Sequence, residues 1–363
     1  YEIKEIYEDE ISSGNIKTRE SREISLKKFI KTKDRNMHDY ADACFRYLRA
    51  TGMVNLSYSG RSISIASEKG VDVDFFLSTV DREPCFVDDE ERYIDYLGNA
   101  QLPKLYTDDK DRLLSKLSVD FPSQSVDKSS DIETLKDVYY NLLDVRREAA
   151  IESEILELKT YALYDDVQTL YHQIVAGDIY DRPLMLEWNT WRAMTMLDGG
   201  DIKANLKFDD FGRPLSTAQG NKADIECDYG NFSLIVEVTM SVGQRQFEME
   251  GEPVARHLGN MKRDTMKPAY CLLIAPKISE GCIANCYTLH KANVVYYGGK
   301  SVIIPLSLDI FKKMLEDSRK SGYSPRPEQV ENIFKYSAEI VDSCDDEQVW
   351  YSLVQTKALN WLN

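Results

Sequence analysis

Nowhere in the 363 residues is there an uninterrupted apolar run of about 18 residues, the length that a membrane-crossing helix needs. No G-x-x-x-x-G-K-[ST] loop occurs, so P-loop nucleotide hydrolysis is not implied. Repeats and low-complexity tracts are missing too, which excludes solenoids and disordered arrays. Histidine is scarce, at four. Cysteine is present, but seven is an odd number, and Cys44, Cys227 and Cys271 lie in apolar or strand-like surroundings, so no disulfide framework is expected and a reducing, cytoplasmic compartment is. Cys282, Cys286 and His290 have metal-like chemistry at helical spacing, yet the set lacks a fourth ligand and reads as packing.

Positive charge is in short supply as well. There are 45 basic residues against 61 acidic ones, a net charge of −16, whereas nucleic-acid binders usually carry a basic surplus that displaces counterions from phosphate. The deficit is uneven: residues 1–180 hold 24 basic and 36 acidic side chains, residues 181–304 hold 14 and 15, and the last 59 residues hold 7 and 10. The acid load therefore sits mostly outside the near-neutral middle section. With 43% hydrophobic content the chain can bury cores for two or three domains. It begins at Tyr1 without Met and without a signal-peptide pattern, so a fragment lacking an upstream portion is expected.

What the middle section does contain is carboxylates in unusual places. Asp224 opens a strand-like stretch that ends in the turn signal Tyr229-Gly230-Asn231, and Glu237-Val238-Thr239 closes the apolar run Ser233–Val236. A hairpin over these segments brings Asp224 and Glu237 together. Two carboxylates with a backbone carbonyl suffice for Mg²⁺, which prefers hard oxygen ligands and keeps several waters. Upstream, Glu187 interrupts the apolar helical start Pro183–Trp191, where a carboxylate needs a partner, although it reads equally as an exposed residue of an amphipathic helix. Downstream, the polar stretch 244–257 contains Glu248, Glu250, Glu252 and His257 and enters a helix with Pro253 at its first position. His257 is a poor Mg²⁺ ligand and suits a hydrogen-bonding role, or a purely structural one.

The Asp224…Glu237-Val238-Thr239 spacing resembles the PD-(D/E)xK nuclease motif, with Thr239 in the place of the motif lysine. Together with Glu187, Glu250 and His257, the region of about residues 180–305 resembles the AlwI-like type IIS restriction endonucleases, and among them the nicking large subunits related to PleI and MlyI. The resemblance implies a bacterial, Mg²⁺-dependent endonuclease (Mn²⁺ as substitute) that acts on double-stranded DNA. It assigns Glu187, Asp224, Glu237, Glu250 and His257 to catalysis, and Asp224, Glu237, Val238 and Glu187 to the metal. It further implies a separate N-terminal DNA-recognition domain, cleavage of one strand outside an asymmetric site, and a small catalytic subunit for the second strand. Two other readings stand beside it: a repair or transposition nuclease of the same fold, and a winged-helix interaction protein with a degenerate nuclease fold.

The expected architecture is α/β. A helical linker (1–128) has helices over Ser25–Thr32 and Met37–Thr51 and a hairpin of Met53–Tyr58 and Ser62–Ala66 about Ser59-Gly60-Arg61, a winged-helix-like unit. A connecting helix (129–180) opens at Ser129-Ser130-Asp131. The catalytic domain (181–363) is a PD-(D/E)xK core, a mixed sheet flanked by helices: helix 183–198, strands 222–228 and 232–240, helix 252–266, strand 270–275, helix 279–291, strands 294–297 and 302–305, and three closing helices.

Overall fold

A computed structural model describes residues 2–19, 23–57, 59–60, 62–80, 88–197, 200–322 and 326–363. Tyr58, Arg61 and Asp198, which the expected hairpin and helix include, lie outside the described residues, as do residues 20–22 and 86–87. The chain divides into two compact units, Tyr1–Leu56 with Ile63–Tyr106, and Ser57–Ser62 with Thr107–Asn363.

The first unit contains helices α1 (Glu2–Ile6), α2 (Glu8–Ser12) and α3 (Leu26–Ala50), strands β1 (Val54–Leu56) and β2 (Ile63–Ile65), and helices α4 (Gly70–Thr79) and α5 (Glu90–Gly98). The hairpin forms as its alternation predicts, antiparallel with Val54 opposite Ile65. The two helices expected between residues 25 and 51 are instead one, α3. The polar stretch Lys33-Asp34-Arg35-Asn36 between them has neither Gly nor Pro, and so nothing that interrupts the hydrogen-bond ladder.

The second unit opens with α6 (Lys110–Asp120), α7 (Ile132–Lys159), α8 (Tyr164–Ala176) and α9 (Arg182–Leu197). Asp131 caps α7 by accepting the Thr134 N–H at 3.0 Å, a contact of about 1 kcal/mol. There follow β3 (Asp201–Ala204), β4 (Lys207–Phe208), β5 (Pro214–Ser216), β6 (Ile225–Asp228), β7 (Ser233–Val238), α10 (Gly243–Thr265), β8 (Ala269–Ala275), α11 (Glu280–Lys291), β9 (Ile303–Ser307), α12 (Leu308–Lys320), α13 (Pro327–Ile340) and α14 (Glu347–Leu359). The main sheet runs β3-β6-β7-β8-β9, antiparallel as far as β7 and parallel from there.

Strand alternation shows how the sheet is covered. Leu272 and Ile304 border a space shared with α9, α12 and α13, whereas their neighbours Leu273 and Ile303 border one shared with α10 and α11. Successive side chains on a strand point to opposite faces, so helices cover both sides of the sheet. This explains why every residue of β8 is buried and why its sequence is a continuous apolar run rather than an alternating one.

Three expectations in this unit need correction. The Val294–Tyr297 segment is not a strand: Gly298 and Gly299, both at positive φ, fold the chain back so that Val294 bridges Gly299 and Val295–Tyr297 form a single 3-10 turn. The helix expected from Pro253 begins at Gly243, which leaves Pro253 in the interior of α10. Strand β3 was not expected, because only Ile202 of its four residues is buried and the edge position exposes the rest.

Candidate active site

The site starts from the β6–β7 hairpin. Its register sets Ile225 opposite Val236 and thereby carries Asp224 to the level of Glu237. The Val238 N–H donates to Asp224 Oδ2 at 2.8 Å, which ties Asp224 to the end of β7 beside Glu237. Glu237 ends the apolar stretch of β7 and is 5% exposed. An ionised carboxylate so placed loses its hydration, and burial holds both Asp224 and Glu237 well above the usual carboxylate range.

Two helices deliver the other acids. Helix α9 is buried from Leu184 to Leu197, so Glu187 is no surface residue: it is 8% exposed, and its Oε2 accepts the Ala218 N–H at 3.1 Å. Burial, followed by the negative charge of Asp224, pushes Glu187 up to about 9. Glu250 projects from α10, where burial raises its pKa against the opposing effect of the nearby Thr239 hydroxyl. His257, two turns further on, donates from Nδ1 to Glu237 Oε1 at 2.7 Å, and burial keeps its ring below the usual histidine range. Its Nε2 is buried with no protein partner among the described residues.

Thus all five expected residues meet in one place: Glu187, Asp224, Glu237 and Glu250 are close enough to raise one another's pKa, and His257 touches Glu237. The nearby countercharge is small, since Arg256 and His257 are the cations that oppose these shifts, and Arg256 is itself held by Glu252 and Asn221. Crowded hard-oxygen donors short of positive charge fit a divalent cation. Among the described residues no three His, Cys, Asp or Glu side chains converge on one point, so the fit rests on two carboxylates, Asp224 and Glu237, with the Val238 backbone beside them.

Two residues complete the site that sequence reasoning did not assign. Thr239 does more than fill the position of a lysine: its hydroxyl accepts the Ser241 N–H at 3.0 Å, and it lies near enough to Glu250 to oppose the rise in that carboxyl's pKa. Gln246, fully buried on the first turn of α10, donates to the carbonyls of Ser241 (2.9 Å) and Lys277 (3.0 Å) and accepts the Ser279 N–H (2.7 Å). It fastens together the segments that leave β7 and β8, at the carboxyl ends of parallel strands where α/β sheets bind their ligands. Glu248 and Glu252 stay on the exposed side of α10. Cys282, Cys286 and His290 are core: His290 donates from Nδ1 to the Cys286 carbonyl at 2.8 Å, accepts from the Ser337 hydroxyl at 3.1 Å and packs edge-on against Trp350.

Residues 2–314 match the sequence model of the AlwI restriction endonuclease family. The chain belongs to that family. A restriction endonuclease of this family acts on DNA, and the carboxylate cluster lies within the matched residues. Among solved structures, the small subunit of the heterodimeric restriction endonuclease R.BspD6I resembles the chain with a TM-score of 0.43 and 25% identity, over 55% of this chain and 95% of that one. No curated protein sequence matches. No helix among the described residues of this AlwI-family chain is long and apolar enough to cross a membrane.

Proposed function

We propose that this chain hydrolyses phosphodiester bonds of double-stranded DNA with Mg²⁺ at the Asp224–Glu237 centre, as the cleavage part of a type IIS enzyme that cuts one strand outside an asymmetric site. The observation that carries the reading is the cross-strand pair, Asp224 with Glu237, tied through the Val238 N–H. The PD-(D/E)xK likeness rests on the same pair, at the carboxyl end of a strand in a mixed sheet.

In this reading Asp224, Glu237 and the Val238 carbonyl hold the cation, and Glu187 or Glu250 anchors a second. Bound Mg²⁺, or Mn²⁺ in its place, supplies a Lewis acid for the scissile phosphate and lowers the pKa of the attacking water. The chain contributes orientation and proton acceptance. His257 Nδ1–H fixes the rotation of the Glu237 carboxylate, and Glu250, near the Thr239 hydroxyl, is placed to take the proton of a water. No ammonium group stands at position 239, so proton acceptance is assigned to Glu250.

The domain assignment proposed with this function is a linker at 1–128, a connecting helix at 129–180 and a catalytic domain at 181–363, acting in the bacterial cytoplasm where the DNA is. Site recognition belongs outside residues 181–363. One centre cuts one strand at a time, so a double-strand break takes a second centre, here assigned to a smaller nuclease chain. The test is a supercoiled plasmid bearing one site, incubated with the full-length enzyme and Mg²⁺. Open circles should accumulate. Direct conversion to linear DNA at a rate that climbs with enzyme concentration indicates homodimeric cleavage and overturns the single-strand assignment, and cutting undiminished by EDTA overturns the metal.

A further inference from the structure

The charge balance of the chain reverses in one stretch. Against a net −16 overall, residues 256–300 carry seven basic and two acidic side chains. The fold brings the two ends of this stretch together, the later half of α10 against the Val295–Tyr297 turn. Three contacts lock that turn in place. Gly259 admits the backbone of Tyr297, where a Cβ would come within 3.0 Å of the Tyr297 Cα. Lys262 Nζ donates to the Lys300 carbonyl at 2.7 Å, and Arg263 Nη1 to the Tyr296 carbonyl at 3.2 Å. A turn gripped so closely nonetheless presents Val295 at 87% and Tyr296 at 62% exposure.

The cations that grip it lack countercharge. Lys262 bonds a carbonyl, Arg263 a carbonyl and the Asn260 side-chain oxygen, and neither meets a carboxylate among the described residues. Lys262 is half-buried, and that burial lowers its pKa. Holding a partly desolvated charge against neutral acceptors alone is costly unless an anion joins it. Unpaired cations beside an accessible aromatic face form the surface that a sugar-phosphate strand with stackable bases fits. Helix α10 also carries Glu250 and His257, and at 1.5 Å per residue Arg263 lies roughly 9 Å along the axis from His257, within the reach of a few nucleotides.

We propose that Lys262, Arg263 and Tyr296 form a ledge that binds the DNA strand flanking the scissile phosphate. The proposal rests on the nuclease reading above and adds to it the direction in which the strand leaves the cut. Binding of a fluorescein-labelled duplex to the whole chain, followed by anisotropy over a series of salt concentrations, tests it. Each phosphate contact contributes roughly 0.9 to the slope of log affinity against log salt, so Lys262→Gln/Arg263→Gln should flatten the slope by about 1.8. Arg263→Gln alone, at an exposed position, should flatten it by about half as much, and serves if the double variant does not fold. Tyr296→Ser should weaken binding roughly ten-fold with the slope unchanged, because stacking releases no counterions. Lys335→Gln, a lysine paired with Glu331, is the control that should change nothing.

An unchanged slope in Arg263→Gln, or salt-independent association of the wild-type chain, overturns the proposal. So does a ledge variant that loses binding to poly-glutamate while keeping its duplex affinity, which assigns the surface to an acidic protein. Asp224→Asn, measured alongside, should lose cleavage and keep the wild-type slope. If that variant still cuts, the catalytic reading fails while the slope continues to judge the ledge.

Discussion

His257 Nδ1 stands 2.7 Å from Glu237 Oε1, so an imidazole from α10 aims a carboxylate at the end of β7. An outer partner of this kind fixes a ligand's orientation, and its loss typically costs 10–100-fold in activity or metal affinity. His257→Ala should therefore reduce cleavage about 10–100-fold, with weaker Mn²⁺ binding by calorimetry. His257→Asn, which can still donate to Glu237, should recover part of both. Full activity in His257→Ala would remove this residue from the site.

Asp224 is destabilising where it stands, because its ionised form is both desolvated and repelled by Glu237. Asp224→Asn should abolish cleavage and, in EDTA, raise the melting temperature by a few degrees, the usual relation between an active-site charge and stability. Differential scanning fluorimetry of the two proteins checks the sign. A lower melting temperature for the variant would mean that the carboxylate serves the fold.

Metal-free stability should fall as pH rises. Glu187 holds its proton up to about 9 in the folded chain and releases it near the ordinary value of 4.5 when unfolded, so between those limits the folded state binds more protons and each pH step favours unfolding. Glu237 and Asp224, raised for the same reason, act in the same direction. Mg²⁺ or Mn²⁺ should oppose the loss and shift the melting temperature more at pH 8 than at pH 6. An equal shift at both values would separate the metal from these carboxylates.

His290 predicts an opposite trend at acid pH. Buried between Cys286, Ser337 and Trp350, its ring is held down to about 4, whereas in the unfolded chain it protonates near 6.5. Its contribution is complete above 6.5 and disappears as pH falls to about 4, a loss of about 3 kcal/mol. Because Glu187, Asp224 and Glu237 act the other way over the same range, the measurement is the difference between wild type and His290→Gln in denaturant titrations at pH 7 and pH 5, which should move in the variant's favour at the lower pH. An equal difference at both pH values would remove His290 from the acid trend.

The sequence exposes the site more readily than it exposes the scaffold. Asp224 and Glu237 are legible because a carboxylate that closes an apolar strand breaks the expected pattern, and Glu187 because the residues around it are apolar on every side. Gln246 is hidden for the reverse reason: it lies in the polar run 244–252, where nothing in its neighbours shows that this one side chain is fully buried. Pro253 misleads about α10, since proline marks a first turn more often than it sits inside a helix, and here the bonds of Gln246 fix an earlier start. Edge strand β3 and the Val295–Tyr297 turn depend on pairing and on glycine conformations that no local pattern encodes.

Because Pro253 has no N–H, the carbonyl four residues before it, that of Met249, gets no rung from the α10 ladder. Glu250 lies in the turn that lacks this rung, and His257 follows one turn after it. The missing rung thus separates the part of α10 that Gln246 fastens to the strand ends from the part that bears His257 and the basic surface, and it leaves the helix least braced at the turn that carries Glu250.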